Sequence, residues 1–123
     1  MARDTGFLDY VLDQMPFVRG LHARAMFGGH GLYQDESIFA IISDDMLYFK
    51  ANDATRGDFE AKGLMPFSYA ARGKMVALPY YTAPAEVFED ADAMRDWTGK
   101  ALQAALAANA GKNAKAKRRW GKG

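Results

Sequence analysis

Phe27-Gly28-Gly29-His30-Gly31 packs three glycines into five residues, the composition of a loop that opens its backbone amides to an anion. Phosphate-cradling loops aim the amides of a following helix at the anion and keep GxGxxG or GxxxxGK[ST] spacing. Neither spacing occurs here, and Leu32-Tyr33 continues as extended chain. The expected role is structural, a glycine bulge between strands where positive φ and close backbone approach are needed. His22 and His30 are the only histidines. They lack the three- or four-residue spacing that puts two ligands on one helix face, and with no cysteine there is no zinc pattern. Asp44-Asp45 and Glu89-Asp90 are adjacent pairs that mark a turn and a helix start, whereas acid–base catalysis needs carboxylates converging across a cleft. Neither Ser37 nor Ser68 sits in a nucleophile elbow. No catalytic, metal-binding or cofactor-binding residue is assigned. The alternative of an enzyme with a pocket near Met26–Tyr33 lacks a converging polar set.

Two other groups have binding chemistry. Tyr48, Phe67, Tyr69, Tyr80 and Tyr81 are aromatics on expected strands, and an open aromatic sheet can stack bases. Lysine and arginine are not interleaved with them in sequence, which favours packing in a core or a dimer interface. At the C-terminus Lys115, Lys117, Arg118 and Arg119 precede Trp120, a set able to contact phosphates and stack on one base. The plainer reading is a solubilising basic end suited to a helix C-terminus.

The elements that would position these groups follow from periodicity and turn chemistry. Phe7, Leu8, Val11, Leu12 and Met15 recur at helical spacing after a cap at Asp4 or Thr5, and Pro16 ends the run. His22 to Phe27 loosely alternates. Ile38–Ile42 and Met46–Lys50, joined by Ser43-Asp44-Asp45, read as a hairpin at the centre of the sheet. Thr55-Arg56-Gly57-Asp58 resembles a loose capping box opening a helix near 54–62. Met65–Ala70 and Lys74–Leu78 form a second hairpin around Arg72-Gly73, with Pro79 expected to end its strand or lie on an edge. Pro84 opens one helical turn through Phe88, and a long Ala-rich helix runs from about Asp92 to Ala110. The order α-β-β-β-α-β-β-α implies a two-layer α+β domain, an antiparallel sheet with helices on one face.

At 123 residues and 13.6 kDa the chain is expected to form one domain over 1–111, followed by a basic tail at 112–123. Half the residues are apolar and 13% aromatic, which excludes wholesale disorder. The net charge of +1 conceals an asymmetry. All 15 acids lie at or before Asp96, while six of the 16 bases fall in the last twelve residues, giving a formal −5 body and a +6 tail. Any affinity for nucleic acid is therefore expected in the tail, weak and salt-sensitive. No apolar run approaches the ~20 residues of a membrane span. Met1-Ala2-Arg3-Asp4 lacks a signal-peptide core, so a cytoplasmic location is expected.

Arg24-Ala25-Met26-Phe27-Gly28-Gly29-His30-Gly31-Leu32-Tyr33 resembles the opening signature of the TfoX N-terminal domain family. The resemblance continues in order through Phe39–Ile42, Leu47–Lys50, Asp58–Gly63, Pro66–Tyr69, Pro79–Pro84 and the helix around Trp97, about residues 7 to 106. It implies a two-layer α+β domain like that of type III secretion chaperones, often a homodimer. It makes Met26, Phe27, Gly28, Gly29, Gly31 and Tyr33 a structural motif. Full-length members of the family regulate bacterial competence for DNA uptake together with a transcription activator. A second, C-terminal domain found in those regulators is absent here, so a stand-alone N-terminal domain is expected. The resemblance implies no enzymatic activity, metal or cofactor. The resulting expectation is a regulatory or protein-interaction domain with an unidentified protein partner. The alternative is nucleic-acid association through the tail.

Overall fold

The computed structural model describes residues 6–26 and 28–121, with the side chains of all of these except 69 and 109–121. Helix α1 (Gly6–Asp13) leads into four consecutive strands: β1 (Leu21–Met26), β2 (Gly29–Gln34), β3 (Ser37–Ser43) and β4 (Met46–Lys50). Helix α2 (Arg56–Ala61), the hairpin β5 (Pro66–Ala71) and β6 (Lys74–Thr82), a 3-10 turn (Ala85–Phe88) and helix α3 (Ala91–Gly121) complete the order. All pairings are antiparallel, in the order β1-β2-β3-β4-β6-β5. The α+β class holds, with β3 and β4 at the middle of the sheet.

Each helix contributes to one cluster against one sheet face. Val11 of α1, Met15 just beyond it, Phe59 of α2, and Met94, Trp97, Ala101 and Ala105 of α3 pack there. The sheet supplies Leu32, Phe39, Ala40, Ile42, Leu47, Phe49 and Tyr81. Small alanines on the inner stripe of α3 let it lie close across β3 and β4. On the opposite face Ile41, Phe67 and Tyr80 form a smaller cluster, flanked by Ile38, Tyr48 and Leu78.

Four expectations need correction. The glycine run, expected as a bulge between strands, makes a tight turn instead. It turns the chain between β1 and β2, so four strands precede α2 where three were expected. The bulge lies further on, where Leu32 pairs with Ala40 but Tyr33 with Ile38, leaving Phe39 unopposed. Pro79 does not end its strand, because β6 runs on to Thr82. It sits where the β5 register shifts between Pro66 and Ser68, so its missing amide removes no regular rung, and its carbonyl accepts from Ala51 N at 2.8 Å. Thr55 makes no side-chain cap. Asn52 Oδ1 instead accepts from the amides of Ala54 and Thr55, each at 3.1 Å, while Thr55 Oγ1 accepts from Asn52 N. Finally, α3 passes through Gly111 to Gly121, because an isolated glycine among alanines and lysines costs only about 1 kcal/mol. The caps expected at Asp4 or Thr5 lie outside the described residues.

Candidate interaction surface on the open sheet face

The face without helices is built by alternation along β1 and its register with β2. His22, Arg24 and Met26 pair with Tyr33, Gly31 and Gly29. Rung by rung the same face continues through Ile38, Ile41 with Tyr48, and Lys50 with Tyr80. Arginine and lysine are thus interleaved with the aromatics in space, which their separation along the chain conceals.

Three contacts organise this face. Tyr33 stacks on His22 with centroids 5.4 Å apart and planes 11° apart, and the Arg24 guanidinium lies 4.9 Å from the Tyr33 ring centre. His22 Nδ1 lies 3.0 Å from the Gly20 carbonyl, which can only accept, so that nitrogen carries the proton. Tyr48 meets Phe67 edge-on at 4.9 Å, and Lys50 Nζ sits 5.3 Å from the Tyr80 ring centre. Such cation–π contacts are worth about 0.5–1 kcal/mol each when exposed. Tyr80 is buried, and its phenol is pushed up to about 12, first by desolvation and then by the nearby Tyr33. At neutral pH the Tyr80 hydroxyl is a hydrogen-bond donor and not a general base.

The glycines of the motif serve this face and its turn. Gly28 has φ +76°. A Cβ on Gly29 would fall on the Ile42 carbonyl oxygen, so β2 and β3 approach there at a distance only glycine allows. Gly31 leaves the space that the side chains of Met26, Ile38 and Tyr33 fill. Phe27 lies outside the described residues. The helix face carries a second polar network, exposed at the junction of α2, the 3-10 turn and α3. Lys62 Nζ bonds Glu86 Oε1 at 2.8 Å, Trp97 Nε1 donates to Glu86 Oε2 at 3.4 Å, and Tyr81 donates to Glu60 Oε2 at 3.0 Å. The Lys62 hydrogen bond, aided by Trp97, holds the Glu86 carboxyl below its ordinary range. Burial and the Glu60 hydrogen bond raise the Tyr81 phenol.

The remaining candidates do not converge. His22 faces Tyr33, while His30 lines a cleft of about 250 Å³ with Asp44 and Asp45. Among the described residues no three metal-ligating side chains come together. Lys115, Lys117, Arg118, Arg119 and Trp120 all lie on the last turns of α3, and their side chains lie outside the described set. The aromatics of the open face pack against one another or beneath a cation, so they offer few bare ring faces to a base.

Residues 13–105 match the TfoX N-terminal domain. The chain belongs to that family. The TfoX N-terminal match spans everything from the end of α1 through the last core residue of α3. A curated relative, the DNA transformation protein TfoX1 of Aliivibrio fischeri (strain ATCC 700601 / ES114), is 29% identical over 66 residues. That alignment covers 54% of this chain and 31% of the relative, so the chain corresponds to about a third of that protein's length.

Proposed function

We propose that this TfoX N-terminal domain is a non-enzymatic regulatory and protein-interaction domain, homodimeric and cytoplasmic, acting on the expression of DNA-uptake functions. The observation that carries the reading is the family match over residues 13–105, supported by a relative named for DNA transformation. The open face adds physical support. Arg24 and Lys50 stand above an apolar and aromatic strip, a surface that suits carboxylates and apolar side chains of a protein partner. Deletion of the chain in the bacterium that encodes it tests the reading. Altered transcript levels of DNA-uptake genes and an altered frequency of marker transformation are expected, both restored by the wild-type chain and not by Arg24→Glu with Lys50→Glu. Unchanged transcripts and transformation would overturn it.

A further inference from the structure

The two free edges of the sheet differ in chemistry. β1, at one end, carries His22 and Arg24, and charge on an edge strand discourages pairing with another chain. β5, at the other end, reads Pro66-Phe67-Ser68-Tyr69-Ala70-Ala71 and has no charged residue. Its hairpin turn, Arg72-Gly73, has φ values of 52° and 77°, the two-residue turn in which the flanking residues exchange both hydrogen bonds. Ala71 with Lys74 and Tyr69 with Val76 are therefore bonded inward. By the alternation of an antiparallel ladder, the N–H and C=O groups of Ser68 and Ala70 point outward.

The surroundings of this edge are apolar and uncovered. Helix α3 lies over β3 and β4, and toward the sheet end Ser68, Ala70, Met75 and Ala77 are all exposed. Met65 and Met75, 67% and 69% exposed, are the most exposed large apolar side chains of the described residues, and both adjoin β5.

We infer that β5 pairs antiparallel with β5 of a second copy, Ser68 opposite Ala70 of the partner subunit and Ala70 opposite Ser68 of the partner subunit. Both rungs then exchange their N–H and C=O groups, the relation is a closed two-fold, and Pro66, lacking an amide, ends the ladder. Charge complementarity favours a second copy over another occupant. This register brings Arg72 of one subunit beside the Pro66 end of the other. There Pro66 shares a cleft with Asp53 and Arg56, and its rung partner Tyr81 holds Glu60. Asp53 and Glu60 share the single cation Arg56, whereas Arg72 and Lys74 make no ion pair among the described residues. The hairpin tip of each subunit thus brings unpaired positive charge to an acidic excess on the other. The inference gives the homodimer proposed above its interface.

Sedimentation of the full chain from micromolar to millimolar concentration tests it, with circular dichroism as the check on folding. Wild type is expected to shift reversibly from monomer to dimer. Ala70→Pro removes an amide that no strand of the same chain uses, and should leave a folded monomer. Ala25→Pro, at the outward position of β1, should still dimerise. Because the sequence has no cysteine, Ser68→Cys supplies a single thiol. A short bismaleimide should join two Ser68→Cys chains and leave Ala25→Cys chains separate, which decides the matter if Ala70→Pro fails to fold. A wild type that stays monomeric overturns both the homodimer and this edge. A dimer that survives Ala70→Pro, or fails to cross-link at Ser68→Cys, overturns the edge and leaves the homodimer standing.

Discussion

At the residue scale, the three described glycines of the motif do different work, and their substitutions should separate. Gly28 has open space where a Cβ would be, so Gly28→Ala meets only its positive φ, at a cost of about 1–2 kcal/mol. Gly29→Val should be much worse, because its Cβ would strike the Ile42 backbone carbonyl that anchors the ladder. A loss on the order of 3 kcal/mol or more, or an insoluble chain, is expected. Urea denaturation of the two variants checks the order. A Gly29→Val protein as stable as Gly28→Ala would remove the close-approach argument. The need for positive φ and close backbone approach was legible in the glycine run, but which glycine meets which need was not. Gly28 carries the positive φ, and the contact of Gly29 with a backbone thirteen residues away leaves no local trace.

At the element scale, the β3–β4 hairpin was the most legible feature, and the physical reason is local. Asp44 and Asp45 adopt φ of 52° and 57°, which aspartate tolerates and a two-residue turn requires. The unbroken apolar run Ile38–Ile42 concealed more. The bulge at Phe39 sends Phe39 and Ala40 to the helix side while Ile41 faces the other way, so both faces draw apolar residues from one strand. Leu47→Ala and Ile41→Ala each remove a buried side chain, one from each cluster, and each should cost about 2–5 kcal/mol in thermal or urea unfolding. Because the two lie in different clusters, the double variant should lose nearly the sum, within roughly 0.5 kcal/mol. A markedly smaller sum would mean that the faces are coupled through the sheet. The open face itself was not legible. Arg24 and Lys50 stand far apart in sequence from the aromatics they cover, and only the register β1-β2-β3-β4-β6 brings them together.

At the scale of the whole molecule, two groups set opposite ends of the pH–stability profile. The Tyr80 phenol is raised to about 12 in the folded state, so the folded chain holds its proton more tightly than the unfolded chain does. Its contribution is complete below the ordinary phenol value near 10. It is lost as pH rises from there through about 12. Glu86 has the opposite sign. Its carboxyl is lowered chiefly by Lys62, so its contribution is present above the ordinary carboxylate range and is lost as pH falls through the depressed folded value. Denaturant midpoints measured between pH 9 and pH 12 should fall for wild type, and Tyr80→Phe should flatten that decline. Acid-limb midpoints should be less pH-dependent in Glu86→Gln. A Tyr80→Phe profile that follows wild type would show that the alkaline loss arises elsewhere.

The sheet order also governs how the molecule assembles in time. β1 to β4 form a meander in which every strand pairs with its sequence neighbour, so each rung closes a short loop. β6 joins that meander only after the chain has travelled through α2 and β5, and it does so across three rungs, Tyr48 with Thr82, Phe49 with Tyr81, and Lys50 with Tyr80. Short loops close at small entropic cost and long ones at greater cost. The meander should therefore gain protection early during refolding, the β5–β6 ribbon should fold upon itself, and the seam between β4 and β6 should close last. The same seam is where the native sheet should part first. In hydrogen exchange, amides of Phe49 and Tyr81 should lose protection at lower denaturant than those of Ile41 and Ile42, so that the ribbon carrying the free edge opens as a unit before the rest of the fold gives way.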